Sequence, residues 1–279
     1  MAAAAADRYA VFRALHESGC FVIPNPWDVG TARYLQGLGF KALATTSAGF
    51  AFSQGLADGA VPRDRMLAHI RAIVAATELP VNADFEGGYA DEPAGVAESV
   101  RLCIETGIAG LSIEDSTGDD AHQLYDFDLA LARVRAAREA IDQTGGKVIF
   151  TARSEGFIRG RPDLAETIRR LRAFAEAGAD CLYAPGIRTR DEITAVVQAV
   201  APKPVNLLIS TASFTLKDIS AMGVRRISVG GTLARVAWGA FIRSAREIAE
   251  QGKFDSLAGT MTNAELNAFF RNDRKRRSS

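Results

Sequence analysis

Apolar and polar positions along the chain fall into two alternating patterns. Short runs rich in β-branched and other apolar residues read as buried strands: "CFVIPN", "ALATTS", "PVNADF", "GLSIED", "KVIFTAR", "CLYAPG", "PVNLLIS" and "RISVGG". Between them lie longer segments with apolar residues three and four apart, among them "PRDRMLAHIRAIVAAT", "AGVAESVRLCIETG", "DLALARVRAAREAIDQTG", "DLAETIRRLRAFAEAG" and "TRDEITAVVQAV", which predict helices. Gly107, Gly145, Gly178 and Gly223 punctuate these segments, as helix C-termini require. Continuous apolar strands separated by helices imply a parallel sheet covered by helices. Eight such pairs within roughly 250 residues predict an α/β fold of the (β/α)8 TIM barrel type. A further helix, "DRYAVFRALHESG", is predicted to cap the N-terminal end of the barrel. The last segments, "LARVAWGAFIRSAREIAEQG" and "NAELNAFF", are apolar on one face and can reach a neighbouring subunit. No linker or shift in composition divides residues 1–279, so a single domain is predicted.

Composition narrows this picture. With 48% hydrophobic and 24% charged residues in 279, the chain is that of a folded protein rather than a disordered one. Lys plus Arg and Asp plus Glu both number 33, so no overall field draws in nucleic acid or anionic lipid, and neither is expected as a partner. "RNDRKRRSS" is read as a short basic, solvated C-terminal tail. Cys20, Cys103 and Cys181 are widely spaced and form no C-x-x-C pair, which points to a reducing compartment, the cytoplasm by default. "MAAAAADRYA" lacks the basic start and apolar core of a signal peptide, and no run approaches the ~18 apolar residues of a membrane span.

In a TIM barrel, chemistry belongs at the C-terminal ends of the strands. Those ends are polar here: Asn25, Trp27 and Asp28 after the first strand, Thr45, Thr46 and Ser47 after the second, and Asp84 and Glu86 after the third. Glu114 and Asp115 follow the fourth strand, Arg153, Ser154 and Glu155 the fifth, Pro185 the sixth, Ser210 and Thr211 the seventh, and Gly230 and Gly231 the eighth. Strand alternation is expected to turn Asp84 and Glu86 to one face, with Glu114 about 5 Å away on the neighbouring strand. Carboxylates that close repel unless a cation or proton joins them. An all-oxygen donor set without His or Cys suits Mg²⁺ or Mn²⁺. Alternatively, Asp84 and Glu86 cap the following helix or pair with an arginine. Arg153 has two readings as well: a salt bridge to Glu114 or Glu86, or a clamp on a substrate carboxylate or enolate oxygen. "TTSAG" supplies hydroxyls and backbone N–H groups for an anion seat. His16 and His69 fall on helices away from the barrel mouth and are read as structural.

"GFKALATTSAGFA", "LPVNADFEGGYAD", "GIAGLSIEDS" and "TARSEGF", in this order and spacing, resemble the isocitrate lyase and phosphoenolpyruvate mutase superfamily over about residues 20 to 250. The resemblance implies a (β/α)8 barrel, commonly a homodimer or homotetramer with a C-terminal helix swapped between subunits. It also implies bound Mg²⁺ and a small 2-oxo acid beside which a bond is made or broken through an enolate. Carried over, the metal residues fall on Asp84, Glu86 and Glu114, with Asp58 reaching the metal through water. The pair that holds the substrate carboxylate falls on Thr46 and Ser47, with Ala48 next, and the strand-five arginine falls on Arg153. Departures matter too. The Lys-Lys-Cys-Gly-His lid of isocitrate and methylisocitrate lyases is replaced by "STGDDAHQLYDFD", the strand-six Glu or His by Pro185, the strand-two Ser by Thr46, and the second metal Asp by Glu86.

The implied function is a lyase that cleaves a C–C bond or decarboxylates an oxaloacetate- or methylisocitrate-like acid. Asp84 and Arg153 would contact substrate, Arg153 and Glu114 would be catalytic, and the lid would offer His122, Tyr125 or Asp120 as acid or base. Two alternatives stand beside it. One is C–P chemistry of the phosphoenolpyruvate or phosphonopyruvate mutase or hydrolase type. The other is a non-catalytic barrel that binds a 2-oxo acid. A Ser-His-Asp hydrolase lacks its G-x-S-x-G elbow, and "SVGGT" reads either as a phosphate seat or as a turn into the last helix.

Overall fold

The computed structural model describes the backbone of residues 2–278 and the side chains of residues 8–275. The predicted alternation is observed. The strands are β1 (Phe21–Ile23), β2 (Leu43–Ala44), β3 (Val81–Asp84), β4 (Gly110–Glu114), β5 (Ile149–Arg153), β6 (Cys181–Tyr183), β7 (Val205–Leu208) and β8 (Arg226–Ser228). The helices are α1 (Ala2–Glu17), α2 (Val29–Gly37), α3 (Ser47–Ser53), α4 (Arg63–Ala76), α5 (Pro93–Ile104), α6 (Phe127–Gln143), α7 (Leu164–Glu176), α8 (Arg190–Val200), α9 (Leu216–Ala221), α10 (Thr232–Gln251) and α11 (Asn263–Ser278). All strands pair in parallel in the order β1-β8-β7-β6-β5-β4-β3-β2. The ring closes between its two ends where the Ala44 N–H donates to the Pro24 carbonyl at 3.1 Å. This is a (β/α)8 barrel.

The largest core lies between the strands' outer faces and the helices, where Leu111, Phe150 and Leu182 meet Ile73, Val100, Ala137, Leu171 and Phe174, all buried. A second, small cluster seals the N-terminal end. There Phe12 of α1 packs with Ile23, Ala42, Ala44, Ala109 and Ile149, so α1 does cap the barrel floor. Gly110 makes room for it, since a Cβ there would sit 2.6 Å from the Phe12 ring. Inside the floor, Arg226 is 3% exposed and bonds neutral partners: Asn206 Oδ1 at 2.9 Å, Thr151 Oγ1 at 2.9 Å, His16 Nε2 at 3.3 Å and Asn82 Oδ1 at 3.5 Å.

The C-terminal segment is helical, with α11 continuing to Ser278, and Arg271, Asn272, Arg274 and Lys275 are exposed while Asp273 is buried; Ser279 lies outside the described residues. Phe269 meets Tyr34 of α2 at a ring separation of 4.8 Å, which holds α11 against the barrel. In α10 only Ala234 is buried, and Val236, Trp238, Phe241 and Ile242 are exposed. No helix among the described residues is long and apolar enough to cross a membrane.

Candidate active site

The strand ends converge on Arg153, the last residue of β5. Its Nη1 lies 2.7 Å from Asp84 Oδ1, its Nη2 3.0 Å from Glu114 Oε2, and its Nε 2.9 Å from Glu155 Oε1. Register explains one of these contacts: Glu114 is the β4 partner of Arg153, whereas Glu155 lies in the loop that follows β5. The guanidinium also lies over the Tyr183 ring, 5.1 Å from its centroid. Burial pulls such a group toward neutrality, but Glu114, Glu155 and Asp84 outweigh it and keep Arg153 charged well above its ordinary range. Burial raises the proton affinities of Glu114 and Glu155 in turn, with Arg153 opposing. The salt-bridge reading of Arg153 therefore describes this structure, with Asp84 and Glu155 as partners beside the expected Glu114.

Glu86 reaches the site by another route than strand alternation. β3 ends at Asp84, and Glu86 adopts φ 48°, in the left-handed region, as does Tyr89 at 57°. The expected shared face for Asp84 and Glu86 thus fails one residue too early. The Glu86 carbonyl still accepts the Glu114 N–H at 3.0 Å, which sets the two residues side by side, and Tyr89 Oη donates to Glu86 Oε1 at 3.2 Å. The turn is clamped from behind by Arg133 of α6, 1% exposed, which donates to the carbonyls of Gly87, Ala90 and Asp91 and stacks on Tyr125 at 3.9 Å. Gly87 is needed there, since a Cβ would meet Arg133 and the Ser116 carbonyl, each at 3.2 Å. Burial, then Asp84 and Asp58, pushes the Glu86 carboxyl up to about 7.

The predicted anion seat is a helix start. Thr46 is the N-cap of α3, its Oγ1 accepting the Gly49 N–H at 3.2 Å. Ser47 gives its N–H and its hydroxyl to Asp84 Oδ2 at 2.9 and 3.0 Å, with Asp58 Oδ1 3.4 Å from the same Oγ. "TTSAG" is therefore partly engaged by the protein's own groups, and the Thr46 O–H proton is what it leaves for a guest. Ala48 lines the cavity wall beside Gly231. Asp115 turns away to Arg170, 3.1 Å distant.

His122 is not brought to the site. The lid is pinned by a backbone bridge between Ser116 and Leu124, which leaves the His122 side chain 85% exposed with its Nδ1 3.3 Å from Asp119. Tyr125, from the same lid, does line the cavity and donates to Asp91 Oδ1 at 2.5 Å. Sequence reading gave no role to Glu155, Arg133, Tyr183 or Arg159, whose Nη2 lies 3.7 Å from Glu114. Glu155 follows the end of β5 by two residues, so its nearness to Arg153 in the chain was the one available signal. The clamp by Arg133 had no such signal, because it depends on how α6 packs.

Asp58, Glu86, Glu114, Arg153, Glu155 and Tyr125 border a cavity of about 700 Å³ at the C-terminal mouth of the barrel. A second cavity of about 400 Å³ lies beside it, and Ser47, Asp58, Arg153 and Ile158 line both. The charges do not balance. Asp58, Asp84, Glu86, Glu114 and Glu155 face Arg153 and the more distant Arg159, and burial followed by Asp84 also raises the Asp58 carboxyl. Among the described residues no three such groups stand close enough to hold an ion by themselves. That arrangement fits Mg²⁺, which keeps several waters and takes one or two carboxylates plus substrate oxygens rather than a complete protein cage.

Comparison with known proteins gives one family. The model of phosphoenolpyruvate phosphomutase matches residues 12–249. An uncharacterised protein of Mycobacterium tuberculosis is 33% identical over 259 residues, 92% of this chain and 95% of its own. A solved Burkholderia cenocepacia J2315 protein of provisional lyase/mutase assignment is 47% identical with a TM-score of 0.91, covering 96% of both chains. Oxaloacetate acetylhydrolase in complex with its product oxalate is 27% identical with a TM-score of 0.82, covering 95% of this chain and 93% of its own.

Proposed function

Since the chain belongs to the phosphoenolpyruvate phosphomutase family, we propose that it is a Mg²⁺-dependent lyase that breaks a C–C bond of a small 2-oxo or 2-hydroxy carboxylic acid, or decarboxylates it, through an enolate. The observation that carries this reading is Arg153, a buried and firmly charged guanidinium facing the cavity among carboxylates. Of Asp84, Glu86 and Glu114, one or two would hold the metal directly and the rest through water, with Asp58 further out. When bound, it supplies Lewis acidity toward the 2-oxo and carboxylate oxygens of the substrate.

The remaining steps belong to the chain's own groups. Thr46 offers a hydroxyl donor to the substrate carboxylate at the start of α3, beside Ser47, whose own hydroxyl is given to Asp84. Arg153 places positive charge where the enolate oxygen develops, and a cation fixed in place beforehand is worth several kcal/mol there. Of the lid candidates Tyr125 faces the cavity, and burial pushes its phenol up to about 12, so it carries a proton at neutral pH and can return it to the product. The oxalate bound by the oxaloacetate acetylhydrolase supports a dicarboxylate-derived substrate for this chain too. The exposed apolar face of α10 supports a homodimer or homotetramer, and the free Cys20, Cys103 and Cys181 support a reducing compartment such as the cytoplasm.

The test is a Mg²⁺ assay across small 2-oxo and 2-hydroxy acids, following pyruvate, glyoxylate and CO₂, with phosphorus NMR on phosphonopyruvate alongside. Release of a carbonyl product or CO₂, lost in EDTA, is expected. Phosphate release or phosphonate rearrangement alone would move the assignment to C–P chemistry. Oxalate binding without any turnover would make the barrel a binding protein.

A further inference from the structure

Beneath Arg153 the barrel lumen is polar, where branched apolar side chains usually fill such a barrel. Arg226, at the start of β8, bonds Thr151 on β5 and Asn82 on β3, each two residues short of Arg153 and Asp84. Its guanidinium therefore lies one inward-facing layer below that pair, roughly 7 Å along the strands. From there a chain of side chains climbs back toward the mouth. Arg226 Nε donates to Asn206 Oδ1 at 2.9 Å, and Asn206 Nδ2 donates to Ser228 Oγ at 2.9 Å. The Ser228 hydroxyl in turn meets Tyr183, whose ring lies under the Arg153 guanidinium.

The protons of this chain can run in only one direction. An arginine has donors and no acceptor, so the Asn206 carbonyl must face Arg226 and its NH₂ must face Ser228. The other guanidinium contacts, to Thr151, Asn82 and Nε2 of His16, hold Arg226 in the same donating role. With one lone pair taken by Asn206, Ser228 has its O–H left for the phenol oxygen of Tyr183. Tyr183 then accepts from the chain and keeps its own proton to give. No acceptor among the described residues takes that proton. Tyr183, 8% exposed, lines the same cavity as Arg153 and Asp84. Burial pushes the phenol up to about 12, so the proton is held at neutral pH, while Arg153 and Ser228 pull the other way.

We propose that Tyr183 is a further catalytic residue, a hydrogen-bond donor to the ligand oxygen that Arg153 faces, and that Arg226, Asn206 and Ser228 are positioning residues that aim its proton. This rests on the function proposed above, in which that oxygen becomes the enolate oxygen. Two donors, one charged and one neutral, then meet the developing negative charge, and both are in place before the substrate arrives. The role differs from that of Tyr125, which returns a proton to the product.

The experiment is calorimetry with oxalate in Mg²⁺, since oxalate carries the paired oxygens and the negative charge of a 2-oxo acid enolate. Tyr183→Phe removes one oxygen atom and should weaken oxalate about tenfold or more, as loss of a hydrogen bond to a charged group does. On the acid that turns over in the assay above, the same variant should lower kcat about a hundredfold and change KM less. Asn206→Asp tests the direction of the chain. A carboxylate accepts from both Arg226 and Ser228, so the Ser228 proton turns away from Tyr183, and the Tyr183 proton turns to Ser228 instead of the ligand. This variant should lose a similar factor in oxalate affinity in the wild-type background and little in the Tyr183→Phe background. Equal losses in both backgrounds would mean that the added charge weakens oxalate, and would overturn the positioning role. Unchanged oxalate affinity in Tyr183→Phe, with circular dichroism matching the wild type, would overturn the role of Tyr183 itself. Failure of oxalate to bind the wild type in Mg²⁺ would instead remove the function proposed above, and this role with it.

Discussion

The guanidinium of Arg153, on β5, reaches across β4 to lie 2.7 Å from Asp84 on β3. One buried cation thus ties three strands of the mouth through Asp84, Glu114 and Glu155. Removing it leaves buried carboxylates unpaired, a change that costs about 3 to 5 kcal/mol when one partner of a buried pair is lost. Arg153→Met should therefore lower the urea midpoint of the metal-free protein strongly, and Mg²⁺ should recover more stability in this variant than in the wild type. Equal Mg²⁺ shifts in the two proteins would show that the ion does not meet the carboxylates that Arg153 holds. Arg153→Lys keeps the charge but not the fork, so turnover should fall further than stability.

Glu86 carries the other half of the imbalance. Its folded carboxyl is raised from 4.5 to about 7, first by burial and then by Asp84 and Asp58. A group raised on folding contributes its stability below its unfolded pKa and loses it as pH rises through the folded one. In EDTA, Glu86→Gln should leave stability nearly unchanged at pH 4.5 and raise it by about 1 to 3 kcal/mol at pH 8. In Mg²⁺ at pH 8 the order should reverse, because Gln removes a ligand charge. Denaturation of both proteins at the two pH values, with and without Mg²⁺, reads this out; a destabilised variant in EDTA at pH 8 would contradict it.

The sequence carried the barrel because its signals are local: uninterrupted apolar strands, helical spacing, and Gly107, Gly145, Gly178 and Gly223, all of which take positive φ. It carried the polar rim for the same reason, since the residues that end each apolar run lie at the barrel mouth. What it could not give was where the strand stops. Alternation placed Glu86 beside Asp84, whereas the chain leaves β3 at Asp84 and turns left-handed at Glu86 under the hold of Arg133. Likewise, His122 had suitable chemistry in a lid of suitable length, but the Ser116–Leu124 bridge directs Tyr125, not His122, to the cavity. Such contacts join segments far apart in the chain, so residue spacing alone does not encode them.

Two buried histidines make the fold acid-sensitive. His16 is lowered from 6.5 to about 3, chiefly by burial and then by Arg226, with Arg13 and Arg225 adding to it. Its geometry fixes the neutral form, with Nδ1 2.7 Å from the Phe12 carbonyl and Nε2 facing Arg226. His69 is lowered to about 4 by burial, stacked on Phe50 at 3.8 Å. A histidine lowered on folding gives its stability above its unfolded pKa and loses it as pH falls toward the folded value, so the window is pH 6.5 down to about 4. The raised carboxylates act in the opposite sense, so the informative quantity is a difference. His16→Gln should reduce the slope of stability against pH in that window by about 1.4 kcal/mol per pH unit, the value for one proton. Parallel curves for variant and wild type would mean that His16 is not the group taking up the proton.

The last barrel helix lacks a partner for its apolar face. α10 follows β8, yet Val236 is 64% exposed, Phe241 61% and Trp238 39%, with Trp238 and Phe241 in edge contact at 5.5 Å. Contiguous exposed apolar residues on a well-formed helix mark an interface, and a second copy of the chain offers the same face for a two-fold contact. The wild-type protein should sediment as a dimer or tetramer at micromolar concentration. Phe241→Asp should shift it toward the monomer, because the carboxylate would have to be buried unpaired at the contact. The variant's far-ultraviolet circular dichroism should match the wild type, since the substituted residue is exposed within its own chain. A wild-type monomer at this concentration, or a Phe241→Asp protein that sediments unchanged, would leave α10 as an ordinary solvated helix and remove it from the assembly.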